Sequence, residues 1–230
     1  MKKIFLALIV LFSISVAASF SENRISLNYS FNPENRYSLY PVHSSENLSF
    51  TVSDMSAAGF QIEWVHLFNS DIAFSHGFSV ITSADFFNKI LIREAIQYGY
   101  GNVDFGINAC VGGTVVFNWD FNEYNSLSLK PGLAFNMQQA TGGTFNLTDT
   151  YIYFQEYSAL LINNVNYNLW FFNSEKCKIG LNINACFGFP LIGYSNLAYM
   201  IQSKATYFKE SYITFGTDCL TLSAGIGVQF

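Results

Sequence analysis

Charge is what this sequence has least of. Only 12% of its 230 residues are charged, about half the share of an ordinary soluble domain. With 50% apolar and 18% aromatic residues, it lacks the side chains that keep a water-facing surface soluble. Basic charge is scarcer still, 11 Lys and Arg against 16 Asp and Glu, a net charge of −5. That balance excludes nucleic acid as a partner and excludes a basic patch for anionic headgroups. Proline occurs only four times, and no linker, low-complexity tract or solenoid-period repeat divides the chain. After the first 18 residues no apolar run is long enough for a transmembrane helix. The four cysteines and three histidines are too scattered for zinc-ligand spacing, so no cofactor is expected.

Residues 1–18 have the form of an export signal. Lys2 and Lys3 precede an apolar run from Ile4 to Ile14, and Val16, Ala17 and Ala18 offer small residues before a cleavage at Ser19. Residues 19–230 then form one domain.

What fills that domain is alternation. Ile25, Leu27, Tyr29 and Phe31 oppose Ser26, Asn28 and Ser30; Leu48 to Trp64 hold one even register; and Ile72, Phe74, Phe78 and Val80 return after Asn69, Ser70 and Asp71. Val103 to Trp119, Leu127 to Met137, Tyr157 to Phe171 and Ile179 to Phe187 repeat the pattern. Period two marks strands with one apolar and one polar face. Residues 84–97 depart from it, with Phe86, Phe87, Ile90, Leu91, Ala95 and Ile96 at spacings of three and four behind Ser83 or Asp85. That spacing predicts a short amphipathic helix within a loop. Long connections are expected near 32–46, 84–100, 139–151 and 190–216, alternating with short turns near 68–71, 120–124 and 173–176.

The closing stretch TDCLTLSAGIGVQF is the strictest. Leu220, Leu222, Ala224, Ile226, Val228 and Phe230 share one parity, and the chain stops on Phe230. Eight strands, alternating long and short connections and a terminal aromatic strand resemble the small eight-stranded bacterial outer-membrane β-barrel proteins of the OmpX/OmpA/OmpW kind. The resemblance implies an all-β, antiparallel up-and-down transmembrane barrel in the outer membrane, with Phe230 as an assembly signal read by the barrel-assembly machinery. It implies outer-membrane lipid as surroundings and an extracellular ligand or host surface as a candidate partner.

A lipocalin would also have about eight strands, but apolar inside and solvated outside. Here the polar face is Asn, Ser, Thr and Gly, too weakly charged for a soluble exterior, so the apolar face is expected to meet lipid. Trp64, Trp119 and Trp170 sit where descending strands meet short turns, the level of an inner aromatic girdle, although Trp170 lies off the lipid parity. Strands near 48–67, 101–119 and 153–172, at ~3.3 Å per residue and a tilt near 40°, would rise about 50 Å. An apolar band is only about 25 Å tall, so the excess should form a projecting β-rich collar.

The polar face supplies the candidate lumen residues Glu63, Asp104, Lys130, Glu156 and Lys178, which either pair internally or line a path. Cys186 and Cys219 share lumen parity on adjacent strands at similar depth and form a candidate disulfide. His66 and His76 have lipid parity, His43 lies in the first loop, and no carboxylate and hydroxyl complete a triad with any of them. The expected role is structural or surface-binding, in the manner of an adhesin, and not enzymatic. A narrow transport barrel for small or apolar molecules is the alternative, and a lipid-modifying membrane enzyme a third.

Overall fold

The alternation becomes β-structure almost everywhere it was strict. The computed structural model describes residues 21–33, 37–41, 50–53, 57–68, 73–93, 98–142, 144–145, 150–174, 176–201, 206–215 and 219–230. Eight long staves make the wall: β1 (Ser21–Asn32), β4 (Ala57–Phe68), β5 (Phe74–Arg93), β6 (Tyr98–Asn122), β7 (Asn125–Thr141), β9 (Thr150–Asn173), β10 (Lys178–Ile201) and β12 (Cys219–Gln229). Short pieces lie between them, β2 (Tyr37–Pro41), β3 (Phe50–Ser53), β8 (Thr144–Phe145) and β11 (Thr206–Phe215). Every stave pairs antiparallel with its neighbours, and β1 against β12 closes the ring with Arg24 opposite Gln229 and Phe31 opposite Leu222. The closure is pinned at its end by Asn23 and Phe230, whose backbone N–H groups each donate to the other's carbonyl at 2.9 Å.

Burial decides which face is which. Arg24, Ser26, Asn28, Ser30, Gln61, Glu63, Lys130, Asn166 and Asn168 are buried inside, while Leu27, Phe60, Leu133 and Phe171 stand 57%, 59%, 59% and 65% exposed on the outside. A soluble barrel inverts this arrangement, because apolar side chains in water cost what they gain in a hydrocarbon surround. The lipocalin alternative is thereby excluded. Trp64 and Trp119 are outward, at 37% exposure each, whereas Trp170 is buried at 3%. Trp64 packs edge-on to Phe78 at 5.2 Å and Trp119 against Phe74 at 5.4 Å, an aromatic zone at the short-turn end.

The collar is present as sheet. β6, with 25 residues, and β9 and β10, with 24 each, far exceed the 9–11 residues that cross a membrane. Beyond the ends of β1, β4 and β12, β10 exchanges its partner β12 for β11, and β5 exchanges β4 for β3. β11, β2 and β3 then bridge β10 to β5, so the projecting wall is continuous along this arc.

Three expectations about connections change accordingly. The helix at 84–97 is not there: β5 is strand through Arg93, and residues 94–97 lie outside the described ones. A register shift between Phe87 and Lys89 explains the misleading spacing. One extra residue flips the inward parity, so apolar positions before and after it fall three and four apart, as on a helix. The loop expected from Pro190 is a continuation of β10, with a bulge between Pro190 and Ile192 absorbing the proline's missing donor. Parts of the expected first loop form β2.

Candidate functional site

Among the described residues the interior concentrates the polar groups, and it is organised in levels. At the short-turn end Arg24 is the hub. Its Nε donates to Glu22 at 2.6 Å, and its Nη1 donates to Asn118 Oδ1 at 2.9 Å and Ser126 Oγ at 3.3 Å. Its Nη2 lies 3.6 Å from Asp120, and the guanidinium stacks 5.6 Å over the Trp170 ring. An amide ladder continues from the hub: Asn182 donates to Asn168, which donates to Ser126 and Asn166. Planar guanidinium geometry suits this position, where several acceptors converge from different strands.

One level further from the turns, Lys130 Nζ and Glu63 Oε2 form a 2.7 Å ion pair across the lumen, with side chains 2% and 1% exposed. Ser79 donates to the second Glu63 oxygen at 2.9 Å and shares a 2.7 Å bond with Thr114. Above the pair Ile81, Ala134, Leu160 and Ile162 form an apolar cluster touched by Cys110 and Cys186. Beside it lies a cavity of about 50 Å³ lined in part by Gln61, Asp85, Asn108 and Asn136. Asp85 accepts from Asn32 at 2.9 Å and from Ser30, and Thr221 donates to Asn32.

The five lumen candidates therefore part company. Glu63 and Lys130 meet. Glu156 is fully buried on β9, away from that pair. Lys178 is half-buried at the short-turn end, opposite Asn173 and Gln229. Asp104 is exposed while Val103 is 5% exposed and faces inward, because the alternation on β6 breaks between Asp104 and Phe105. The ladder sets Cys186 opposite Thr221 and Cys219 opposite Gly188. The two cysteines thus lie on a diagonal between adjacent strands. His66 faces outward among Trp64, Phe68 and Phe78, its Nδ1 3.0 Å from Asn23 Oδ1, and His76 packs against Phe68. His43 lies outside the described residues. No group of three His, Cys, Asp or Glu side chains converges on a metal-sized site among the described residues.

Two buried charged residues, Arg24 and Asp85, were not among the lumen candidates. Arg24 had a signal, since it shares the inward parity of Ser26, Asn28 and Ser30. Asp85 was masked by the helical spacing around it.

No protein-family model matches the chain, and no curated protein matches its sequence. Its structure is similar to that of the outer membrane protein OprG from Pseudomonas aeruginosa, with a TM-score of 0.55 at 10% identity over 91% of this chain and 96% of that one. It is also similar to a major outer membrane protein from Thermus thermophilus, with a TM-score of 0.53 at 10% identity over 92% of this chain and all of that one (100%). At this identity the likeness concerns the fold. The chain has the all-β, antiparallel up-and-down architecture of the small outer-membrane barrels.

Proposed function

We propose that this chain is an integral β-barrel of a bacterial outer membrane, exported behind residues 1–18, whose role is structural or surface-binding. The carrying observation is the continuous wall of β10, β11, β2, β3 and β5 extending beyond the apolar band. A barrel needs no such extension to span lipid; it needs one to present a surface. The extension offers an extracellular ligand or host surface a platform of hydrogen-bonded extended backbone. Among the described residues His66 and His76 face outward among aromatic rings, which favours a non-catalytic role. Fractionation followed by protease treatment of intact cells tests the reading: an outer-membrane protein cut only at the collar end is expected. Recovery in the soluble fraction, or complete resistance of the collar on intact cells, would refute it.

The narrow transport alternative meets the Arg24 hub and the Lys130–Glu63 pair in series. Purified barrel in liposomes is therefore expected to give no swelling with sugars and no steady conductance in planar bilayers. Regular channels of uniform size would promote transport over the structural reading.

Phe230 is proposed as the contact handed to the barrel-assembly machinery, in keeping with its place at the seam opposite Asn23. Its deletion is expected to lower the yield of heat-modifiable barrel severalfold while export continues. Unchanged yield would remove that role.

A further inference from the structure

The outer wall of the collar carries a patch that the hydrocarbon of a membrane does not reach. Asn173 ends β9 at the short turns, and Tyr157 and Gln155 stand 16 and 18 residues before it. At ~3.3 Å per residue and a tilt near 40°, they lie about 40–45 Å above those turns. The zone of Trp64 and Trp119 sets the lower edge of the apolar band at the turns, and such a band is about 25 Å tall. An upper aromatic girdle belongs at the edge of the band, so these tyrosines stand too high to form one. Yet the wall here is not the charged surface that water favours. Phe135 is 51% exposed, Ile192 60% and Tyr194 46%.

Register assembles the patch from three strands. Glu156 and Ser158 are buried inside, so Gln155 and Tyr157 point outward. Gln139 on β7 faces Gln155, which faces Asn196 on β10, and one row below Met137, Tyr157 and Tyr194 are aligned in the same way. The side chains are held in place. The Tyr153 hydroxyl donates to Gln155 Oε1 at 2.9 Å, and Gln155 Nε2 donates to the Tyr157 hydroxyl at 2.6 Å. The Tyr157 ring stacks on Phe135, 6.2 Å away at 22°. None of the described outward side chains on these strands from Met137 to Thr141, Tyr153 to Tyr157 and Ile192 to Asn196 is charged. The bordering charge is negative, the exposed Asp104 on β6. Amides that donate and accept, set beside aromatic rings, match a saccharide, whose hydroxyls and C–H faces need both. The absence of Lys and Arg, with Asp104 at the margin, disfavours an anionic glycan.

We propose that this wall of β7, β9 and β10 binds neutral sugar units in the headgroup of the outer leaflet's own glycolipid. Gln155 and Gln139 hydrogen-bond the hydroxyls, and Tyr194 packs against a sugar face. Place decides the source. The patch looks sideways from the wall, not up from its rim, and it continues the lipid-facing surface directly above the hydrocarbon, where those headgroups lie. The inference rests on the outer-membrane reading and leaves the rim of the collar to an extracellular partner.

The test mixes the full chain in micelles with acyl-free oligosaccharide released from lipopolysaccharide. Magnetisation passing from the protein's aromatic protons to the sugar is read by NMR, and transfer to neutral hexose ring protons is expected. Gln155→Ala and Tyr194→Ala should each weaken binding about fivefold, the share of one hydrogen bond or one aromatic contact. Leu27→Ala, on the lipid face of β1, should leave it unchanged. Wild type extracted from outer membranes in mild detergent should also carry more lipopolysaccharide than the double variant of Gln155 and Tyr194. No transfer to the wild-type probe would overturn the proposal, as would transfer undiminished in both single variants. A stronger response from a sulfated heparin fragment, or equal lipopolysaccharide on wild type and double variant, would overturn it too. Heat-modifiable mobility checks that each variant folds; should one fail, the other and the wild type decide. Fractionation keeps the two readings apart, since an outer-membrane protein that takes no sugar loses this inference alone, whereas a soluble chain loses the proposed function.

Discussion

Lys130→Met is expected to destabilise the barrel by about 3–5 kcal/mol, the range for stranding one partner of a buried ion pair. Glu63 would keep its bond from Ser79 but lose the 2.7 Å contact to the only ammonium described beside it. The carboxylate would remain at 1% side-chain exposure, out of reach of bulk water. The size of the effect comes from that uncompensated charge, since the pair itself recovers little more than its own desolvation. The double variant Lys130→Met with Glu63→Leu should therefore return to within about 1 kcal/mol of wild type or exceed it. Urea unfolding in micelles, read by tryptophan fluorescence, measures all three proteins. Additive losses in the double variant would show that Glu63 and Lys130 act separately, contrary to the geometry.

The second large effect lies at the seam. A side chain at Gly225 would overlap the Leu27 carbonyl oxygen and bring its Cβ to 2.5 Å from Asn28 Cα, both backbone atoms of the closing partner β1. No rotamer relieves a clash with backbone, so β1 and β12 must part. Gly225→Val is expected to cost at least about 3 kcal/mol and to abolish heat-modifiable mobility, since an unclosed sheet exposes its edges to lipid. Gly227→Ala is the control two residues on. The nearest atoms to its Cβ would be Trp170 ring carbons at 3.7 Å and Asn182 Cβ at 3.8 Å, ordinary contacts. It should fold normally, and equal loss at both positions would mean that the close approach at Gly225 is not the cause.

The sequence by itself determined the strands and their faces. Whether Leu27 points one way and Asn28 the other depends only on the pleat, a property of neighbouring residues, and the poverty of charge said which way was out. Even the collar followed from local arithmetic, strand length against membrane thickness. Tertiary structure decided everything that depends on register. Lys130 and Glu63 lie 67 positions apart, and Arg24 reaches Asn118 over 94; no periodicity carries that information, because closing the ring fixes the stagger of all eight staves together. The bulges after Phe87 and Pro190 belong to the same class: an inserted residue costs the local pattern its phase and is justified only by the partner strand. For that reason a helix was expected where β5 runs on, with Asp85 read as a candidate cap. The diagonal of Cys186 and Cys219 follows likewise, since two residues of stagger separate facing positions from distant ones.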